Sequence, residues 1–472
     1  MKATRFRCAA ALAVCLPLLI AGCGQPTEVK LVNDSILDPN AINFATGTWG
    51  TCINGQTFQI DALVTFGSWQ YATWFDAEKR ICVGRRKLPG GDWQRIAFGD
   101  YKLPDHKDVH NVPVIGICPA DGTIHLSFDH HVTPLRYRVS RPGVATSPDK
   151  VEWTAAIFSP VMNSLGEGKN IPPVTYPAFA ATPDGRLLFY HRDGGSGDGD
   201  GHLAIYDPAK GGWSLMGMFT NRKGDFRGSQ SRYGYINGMD FDSSGRLHVT
   251  WTWREGQDIG KWGLLNCHDL MYAYSDDAGR SWRNNDGQEI GAAGAKPITI
   301  DSPGTVVATI PYRWGSMNQV TQTIDSRGRI HVIMWHNPPD AAAAAKDLTL
   351  WRYFHYWRDE NGKWQSQQLP FYGRKPSILA NTDGSLLVFF TKPGNMNYHG
   401  HDAGGPLHIY RASSNGNWSD WRQIHVSELS FVGEPRFDRY RWQQDRILSI
   451  YAQQAPVAAG KPSELHVMDF QR

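Results

Sequence analysis

The chain has 472 residues, of which 41% are hydrophobic, and this is enough apolar material for a sizeable core. Its 48 Lys and Arg residues nearly balance its 45 Asp and Glu residues, and no basic block of the kind that binds nucleic acid is present. Beyond the N-terminus no apolar run is long enough to cross a bilayer. Composition therefore argues against a nucleic-acid partner and against a membrane-spanning helix.

The N-terminus has the pattern of an export signal. Lys2, Arg5 and Arg7 precede an apolar run over residues 9–20 that is too short to span a membrane. The run ends in Leu-Ile-Ala-Gly-Cys at Cys23, which resembles a bacterial lipobox. The resemblance implies cleavage before Cys23 and lipidation of its thiol. The alternative is an ordinary cleaved signal with an incidental cysteine.

Either interpretation places the mature protein outside the cytoplasm. We expect a signal peptide over residues 1–22, a linker over residues 23–40 and one domain over residues 41–472. The expected location is a bacterial membrane, at the outer membrane or the cell surface, with membrane contact only through the lipid. Without lipidation the protein would be periplasmic or secreted.

A Gly turn followed by an apolar strand recurs along the chain. The repeated glycines are Gly122, Gly185, Gly245, Gly328 and Gly384, which are 63, 60, 83 and 56 residues apart. Each turn joins two apolar segments, and glycine accepts the positive φ that tight hairpins need. The pattern therefore predicts five β-hairpins.

A second element follows these hairpins, a polar Gly turn that leads into Trp. It occurs at Trp93, Trp213, Trp282, Trp364 and Trp418. Two hairpins per unit make four strands, the composition of a propeller blade, and such units stack because one alone cannot bury its faces. Dividing residues 23–472 by a spacing near 60 predicts an all-β, single-domain propeller of seven blades, and a closed ring needs no partner, so we expect a monomer.

The hairpins bring particular residues to one edge of the ring. The first strand of each unit runs toward the Gly turn and the second runs back, so the start of the first strand and the end of the second share an edge. Strand starts carry His110, Asn111, Tyr176, Tyr235, Asn318 and Lys375, and strand ends carry His130, His131, Arg192, Arg254, His336 and Lys392. Histidines and tyrosines beside cations are suited to acid–base chemistry on an anionic polymer. Each of these residues alone has a structural explanation, and the histidines inside the repeated strands (His125, His248 and His331) are interpreted as structural.

The sequence around these residues resembles the BNR-repeat proteins that include the propeller ulvan lyases. Residues 235–238, 245–254 and 268–275 carry the resemblance, which is densest between His110 and Trp282. Those lyases use two histidines about twenty residues apart, a tyrosine and an arginine sixteen apart, and a further tyrosine. The matching residues here are His110, His130, Tyr176, Arg192 and Tyr235.

The resemblance implies β-elimination on a uronate-containing, ulvan-like polysaccharide. Arg192 is then expected to neutralise the uronate carboxylate, with His130 or Asn111 assisting, because Arg can bind a carboxylate through two hydrogen bonds. His110 is the expected base, and Tyr176 or Tyr235 the acid. Asn111, His131 and Arg254 are expected to contact the substrate.

Catalysis by this route needs no cofactor, but some of these lyases hold a structural zinc. Cys267, His268 and His336 are the candidate ligands here, although their spacing is not a recognised zinc pattern. Export also permits disulfides, and a Cys52–Cys82 pair is conceivable within one blade.

Two other functions remain compatible with the sequence. A glycoside hydrolase would need two carboxylates, and Asp108, Asp129 and Asp193 lie near the predicted edge. A propeller that binds glycans without cleaving them is the other alternative, because the fold alone does not determine the chemistry.

Overall fold

A computed structural model describes residues 29–47, 49–256, 266–339, 350–394 and 404–471. The predicted signal peptide and Cys23 lie outside these described residues. In the described part of the chain no helix is long and apolar enough to cross a membrane.

The chain is mostly β-structure, arranged in hydrogen-bonded antiparallel sheets. The first two sheets contain β2 (Leu63–Phe66), β3 (Trp69–Phe75), β4 (Arg80–Lys87) and β5 (Gln94–Lys102), and then β6 (Val114–Ile117), β7 (Ile124–Ser127) and β9 (Tyr137–Val139). The third contains β8 (His131–Thr133), β10 (Val174–Ala181), β11 (Leu187–Arg192), β12 (Gly201–Asp207) and β13 (Gly212–Thr220). The fourth contains β14 (Arg232–Phe241), β15 (Leu247–Glu255), β16 (Cys267–Ser275), β17 (Ser281–Arg283), β18 (Glu289–Ala292) and β19 (Val306–Ala308).

Two further sheets complete the domain. One contains β20 (Thr321–Ile324), β21 (Ile330–His336), β22 (Arg352–Arg358) and β23 (Trp364–Gln368). The other contains β24 (Ser377–Ala380), β25 (Leu386–Thr391), β26 (Gly405–Ala412), β27 (Arg422–Phe437), β28 (Leu448–Gln454), β29 (Ser463–Gln471) and β1 (Lys30–Ala41). The described helices are short: α1 (Arg439–Asp445) and three 3₁₀ turns at Pro148–Lys150, Ala155–Ile157 and Ser414–Gly416.

The five predicted hairpins are confirmed. They are the pairs β6–β7, β10–β11, β14–β15, β20–β21 and β24–β25, and the glycine in each turn has a φ between 68° and 87°. A turn aspartate fixes several of them. Asp242, for example, accepts hydrogen bonds from the backbone N–H groups of Ser244 and Arg246.

The first and last strands of the described chain pair with each other. Lys30 in β1 lies opposite Gln471 in β29, and Ala41 lies opposite Ser463. The expectation of a linker over residues 23–40 is therefore wrong from Lys30 onward. These residues form an edge strand that joins the N-terminal part of the domain to its C-terminal sheet.

Large aromatic side chains and buried histidines fill the space within and between the sheets. The indoles of Trp74, Trp251, Trp282 and Trp418 are at most 1% exposed. The repeated strand histidines are structural, as predicted; His248, for example, is bound by Tyr272 and Asp242. Their regular recurrence reflects packing rather than chemistry.

The cysteines do not form the disulfide that the sequence permits. In the described part of the chain Cys52, Cys82, Cys118 and Cys267 are all buried and none is in a disulfide. The Sγ atom of Cys52 instead lies 3.2 Å from the carbonyl oxygen of Asn54.

Candidate active site

A pocket lies at the strand edge that the hairpin pattern singles out. It is formed where the first strands of several hairpins begin and the second strands end, away from the Gly turns. Its lining residues are Trp49, Gln56, Phe58, His110, Tyr176, Arg254, Met317, Asn318, Trp335, Arg374, Lys375 and Glu434. The predicted residues His110, Tyr176 and Arg254 therefore line the same pocket.

His110 is held by a carboxylate and by two stacked rings. Its Nδ1 atom lies 2.5 Å from Oδ1 of Asp108, and its ring stacks on Phe58 and on His131 with centroids 5.2 and 4.3 Å away. Burial lowers the pKa of His110 to about 4, so the imidazole is neutral near pH 7. With its Nδ1–H donated to Asp108, the imidazole keeps Nε2 as an acceptor. This is the protonation state that a general base needs.

Asp108 binds a second imidazole as well. Its Oδ2 atom lies 2.6 Å from Nδ1 of His131, so one carboxylate orients both rings. Burial by itself would raise the pKa of Asp108, but the hydrogen bonds from His110 and His131 hold it well below the usual range. Asp108 is therefore an anion that fixes two rings, a role that no pattern in the sequence indicates.

Tyr176 sits on strained backbone at the pocket wall. Its φ of 52° lies in the left-handed region, and the β10–β11 register is irregular between Thr175 and Ala178. A non-glycine residue in this region costs energy and is found disproportionately at functional sites. Burial raises the pKa of Tyr176, so its hydroxyl stays protonated. Its ring centroid is 5.9 Å from that of His110, which places a proton donor beside the neutral imidazole.

Arg192 lies behind the pocket rather than on its surface. Its side chain is fully buried, and its guanidinium carbon lies 4.8 Å from the ring centroid of Tyr176 and 5.0 Å from that of Tyr233. Nη1 donates to the Tyr235 hydroxyl at 3.3 Å, whereas Nε and Nη2 have no hydrogen-bond partner among the described residues. Arg192 is not among the described residues that line the pocket, but its guanidinium packs on the ring of Tyr176, which does line it. The expected contact of Arg192 with the substrate carboxylate stays a prediction.

Arg254 is the guanidinium that reaches the pocket, and Tyr235 lies between the two arginines. The Tyr235 hydroxyl lies 3.4 Å from Nη1 of Arg254 and donates to Oγ of Ser196 at 3.2 Å. Burial by itself would raise the pKa of Tyr235, but Arg254 and Arg192 outweigh it, so the pKa is lowered below its usual value. Tyr235 is 1% exposed, so it orients Arg254 rather than lining the pocket.

The structure exchanges the positions expected for His130 and His131. His130 is fully buried in the turn after β7, where Nε2 lies 3.1 Å from the Ser127 hydroxyl and 3.2 Å from the Arg136 carbonyl oxygen. Burial lowers its pKa to about 3. Asp129, with a φ of 60°, redirects the chain just before these residues, so the next side chain, His131, turns toward His110. His130 does not line the pocket, and its expected catalytic role stays a prediction.

Asn111 is also directed away from the pocket. It is 3% exposed, its Nδ2 donates to the Asp108 carbonyl oxygen at 3.0 Å, and its own carbonyl accepts from the Asp129 N–H. Asn111 thus holds the loop that carries Asp108 and His110, and the expectation of direct substrate contact is not met by its position.

The three residues expected to bind zinc do not fit a metal. His268 has Nδ1 2.8 Å from Asp269 and Nε2 3.2 Å from Glu255, while the two nitrogens of His336 face the Asn337 carbonyl oxygen and the Tyr356 hydroxyl. Burial raises the pKa of the Cys267 thiol to about 11, so it is not a thiolate. The zinc expectation for these residues is therefore wrong.

Groups of three side chains that could ligate a metal do occur elsewhere in the described residues. They are Asp108 with His110 and His131, and Asp193 with Asp200 and His202. In the first, the carboxylate oxygens are already hydrogen-bonded to both imidazoles, and in the second Arg222 contacts both carboxylates. Hydrogen bonding accounts for both groups.

Several residues that line the pocket with His110 could not be assigned a role from the sequence. Lys375 is expected at this strand edge, since it lies just before β24 in the same way that Tyr176 lies near the start of β10. It does line the pocket, but no pattern in the sequence indicates a role for it. Gln56, Phe58 and Arg374 lie in segments without repeat periodicity, and Glu434 lies at an irregular register in β27. No local pattern marks these four residues.

Comparisons with known proteins converge on one group. Residues 69–371 match the family model described as "BNR repeat-containing family member". The chain is 27% identical over 316 residues to a protein named "Ulvan lyase, long isoform" from Alteromonas sp, covering 58% of this chain and 31% of that protein. It is 25% identical over 318 residues to "Ulvan lyase, short isoform" from Alteromonas sp. (strain LOR), covering 58% and 60%. The matched region thus spans about a third of the long isoform.

Solved structures share the fold over nearly the whole chain. The polysaccharide lyase Uly1 superposes with a TM-score of 0.72 at 17% identity, covering 94% of this chain and 99% of that one. A family PL25 ulvan lyase bound to -[GlcA(1-4)Rha3S]- gives a TM-score of 0.67 at 13% identity, with coverage of 93% and 97%.

Proposed function

The chain belongs to the BNR repeat-containing family, and from this premise we propose that it is a polysaccharide lyase that cleaves a uronate-containing, ulvan-like polysaccharide by β-elimination. One observation carries the proposal. A neutral imidazole, a protonated phenol and an accessible guanidinium, from His110, Tyr176 and Arg254, converge on one pocket. The names of the similar proteins supply the substrate class.

The first step removes the C5 proton of the uronate. This proton is weakly acidic while the neighbouring carboxylate keeps its charge, so a cation must neutralise that group. Arg254 lines the pocket and its side chain is partly exposed there, so its guanidinium can bind the carboxylate. Nε2 of His110 then accepts the proton, and the electron pair of the C5–H bond delocalises into the carboxylate.

The second step breaks the C4–O4 bond. The electron pair on C5 forms the C4–C5 double bond, the leaving oxygen takes the C4–O4 pair, and the Tyr176 hydroxyl protonates it. The products are a chain whose new non-reducing end is a 4,5-unsaturated uronate and a chain with a new reducing end. Arg192 and Tyr235 act through Arg254, since Tyr235 hydrogen-bonds both guanidiniums.

The pocket is less suited to glycoside hydrolysis. Among the described lining residues Glu434 is the one carboxylate, and its Oε2 accepts the Thr57 N–H at 2.7 Å. Both oxygens of nearby Asp108 are bound by histidines. A hydrolase usually needs a pair of carboxylates with separate roles.

We further propose that the sheets form seven blades around one axis. The innermost strands of consecutive sheets contact one another, as in the pairs β2 with β6, β6 with β10, β14 with β20 and β20 with β24. The large C-terminal sheet divides at β27, whose first part pairs with β26 and whose last part pairs with β28. Counting the C-terminal sheet as two blades, one on each side of this division, gives seven blades from six hydrogen-bonded sheets.

We also propose export and lipidation at Cys23, on the strength of the lipobox-like sequence alone. Incorporation of labelled palmitate into the expressed protein, and its loss in Cys23→Ser, would support the anchor. An unlabelled wild-type protein recovered in the medium would reject it.

Absorbance at 235 nm during incubation with ulvan tests the lyase. We expect the wild-type protein to generate this signal and Tyr176→Phe to reduce its rate by about 10²- to 10⁴-fold, the usual contribution of a general acid. Tyr410→Phe, the same change in β26, is the matched control and should keep the wild-type rate. New reducing ends without absorbance would indicate a hydrolase, and polymer retention without cleavage would indicate a binding protein.

A further inference from the structure

Trp49 is an exposed indole at the pocket that the mechanism above does not use. It lines the pocket together with His110 and Tyr176, and it is 46% exposed. The other large exposed hydrophobic residues that the structure describes are aliphatic, among them Leu215 and Val457. Because a large aromatic side chain gains free energy when it leaves water, an exposed indole at a ligand pocket indicates a surface that a ligand covers.

The backbone at Trp49 is strained for a side chain of this size. Its φ of 66° lies in the left-handed region, which glycine adopts readily and a bulky residue rarely does. Such a conformation costs free energy, and residues that adopt it cluster at functional sites. An exposed side chain adds little to the core, so the stability of the fold does not explain why tryptophan occupies this position.

An anchored loop carries the indole to the pocket. The loop follows β1, and an antiparallel bridge joins Asn43 to Cys52 at its base. Next to this bridge the Phe44 N–H donates to the Thr51 carbonyl oxygen at 2.8 Å. Phe44 is 6% exposed and packs in the hydrophobic core. The base of the loop is therefore fixed in the core, while Trp49 reaches the pocket.

The indole stands nearly perpendicular to the imidazole of His110. The two ring centroids are 6.3 Å apart and the ring planes meet at 78°, whereas Phe58 and His131 stack on the imidazole at 14° and 24°. A uronate whose C5 proton faces His110 is joined to the next sugar through a single oxygen atom. That next sugar therefore lies within reach of Trp49.

We propose that Trp49 is a stacking platform for the sugar that adjoins the uronate. One face of a pyranose ring carries several C–H bonds, and such a face packs on the electron-rich face of an indole. The adjoining ring is itself unchanged by the reaction, so Trp49 binds it equally in the ground state and in the transition state and sets affinity rather than rate. This inference rests on the proposed lyase function and adds a specificity-determining residue to its site.

Steady-state kinetics on ulvan, followed at 235 nm, test the platform. We expect Trp49→Ala to raise KM by about 5- to 30-fold, the usual effect of truncating an aromatic contact residue, with kcat within about twofold of the wild-type value. Trp49→Phe keeps an aromatic face and should recover most of the affinity. Leu215→Ala, at a residue in β13 that is 44% exposed, is the matched control and should leave KM unchanged.

Trp49→Gly separates a role in binding from a role in folding. Glycine accepts a φ of 66° without strain, so this variant should melt close to or above the wild-type temperature while its KM rises as in Trp49→Ala. An unchanged KM in Trp49→Ala, a Trp49→Phe variant that binds no better than Trp49→Ala, or a fall in kcat together with a lower melting temperature would overturn the platform.

Failure of the lyase proposal has a different signature, since the wild-type protein would then release no unsaturated product. In that case tryptophan fluorescence during titration with ulvan oligosaccharides replaces KM. Because Trp49 is exposed, its burial by a ligand should shift the wild-type emission to shorter wavelength, and this shift should be largely lost in Trp49→Phe. The same shift in both proteins would overturn the platform, and a wild-type protein that neither cleaves nor binds the oligosaccharides would overturn both proposals.

Discussion

Arg439, at the Gly-turn end of the innermost strands, and two buried cations at the other end, Arg192 and Lys375, differ in how the chain compensates their charge. At the Gly-turn end, Arg439 at the start of α1 donates to Asp61 at 2.7 Å, to Asp240 at 2.9 Å, and to the carbonyl oxygens of Met239 and Phe179. At the other end, Arg192 and Lys375 form no salt bridge within the described residues, and hydroxyls are the hydrogen-bond acceptors that they meet.

This difference separates structural charge from functional charge. Arg439 ties α1 to β10, to β14 and to the segment just before β2, and its partners are all supplied by the chain. The positive charge at the pocket end is available to a bound anion. Because these cations are buried, their attraction for an anion that enters the pocket is stronger than it would be in water. Titratable groups with shifted pKa values beside such uncompensated charge therefore indicate a functional site better than a paired charge such as Arg439 does.

The largest expected effect comes from removing the base at the pocket end. His110→Gln should lower kcat on ulvan by about 10²- to 10⁴-fold, because glutamine cannot accept the C5 proton. The matched control is His408→Gln, at a partly exposed histidine in β26 that hydrogen-bonds Gln423. A loss below tenfold, in a variant that melts like the wild type, would assign the base to another group.

The next effect tests the Gly-turn end, where stability rather than rate should change. Arg439→Met leaves Asp61, which is 1% exposed, without its ion-pair partner, and breaking such a buried pair typically costs about 3 kcal/mol or more. Burial already raises the pKa of Asp61 to about 6, and it should rise further. Urea unfolding measures the loss, while kcat of the folded protein should stay near the wild-type value.

An exposed arginine supplies the control for that experiment. Arg327 pairs with Glu360 on the surface, and both side chains are at least 60% exposed. Arg327→Met should therefore change the free energy of unfolding by less than about 1 kcal/mol. If Arg439→Met behaves like this control, or if it abolishes activity without loss of stability, the contrast between the two ends fails.

Sequence patterns predicted the hairpins and the pocket edge because both depend on local chemistry. A Gly turn between apolar segments defines a hairpin by itself, and strand direction then places His110, Tyr176 and Arg254 at one edge. The finer assignments depended on geometry that no local pattern encodes. Asp129, with its left-handed backbone, precedes the two adjacent histidines of which His131 stacks on His110, and Arg192 is packed against three tyrosine rings.

Long-range partners account for the remaining misses. Lys375 matters because Thr57, more than three hundred residues away in sequence, is its one hydrogen-bond partner among the described residues. The zinc expectation failed for a similar reason, since Glu255 and Tyr356 occupy the histidine nitrogens that a metal would need. Whether a buried polar or charged group has a hydrogen-bond partner can be seen only when all of its neighbours in the fold are known.

The smallest expected effect is a shift in pH dependence caused by Asp108. His110 acts as a base only when neutral, and burial lowers its pKa to about 4, so activity should fall only as the pH drops toward 4 rather than near 6.5. The hydrogen bond from His110 to Asp108 favours the charged imidazolium, so Asp108→Asn should lower this pKa further and move the acid limb of kcat/KM to lower pH. Loss of the orienting carboxylate should also reduce kcat about 10- to 100-fold.

The matched control is Asp242→Asn, which removes a carboxylate bound to His248 at the Gly-turn end and should leave the acid limb in place. Circular dichroism at each pH is needed, because histidines buried in the neutral state also affect folding. The pKa of His130 is about 3 when folded but near 6.5 when unfolded, so stability falls as the pH drops below about 6.5. An acid limb that stays near pH 6.5 while the fold is intact, or that shifts upward in Asp108→Asn, would show that the titrating base is not the imidazole held by Asp108.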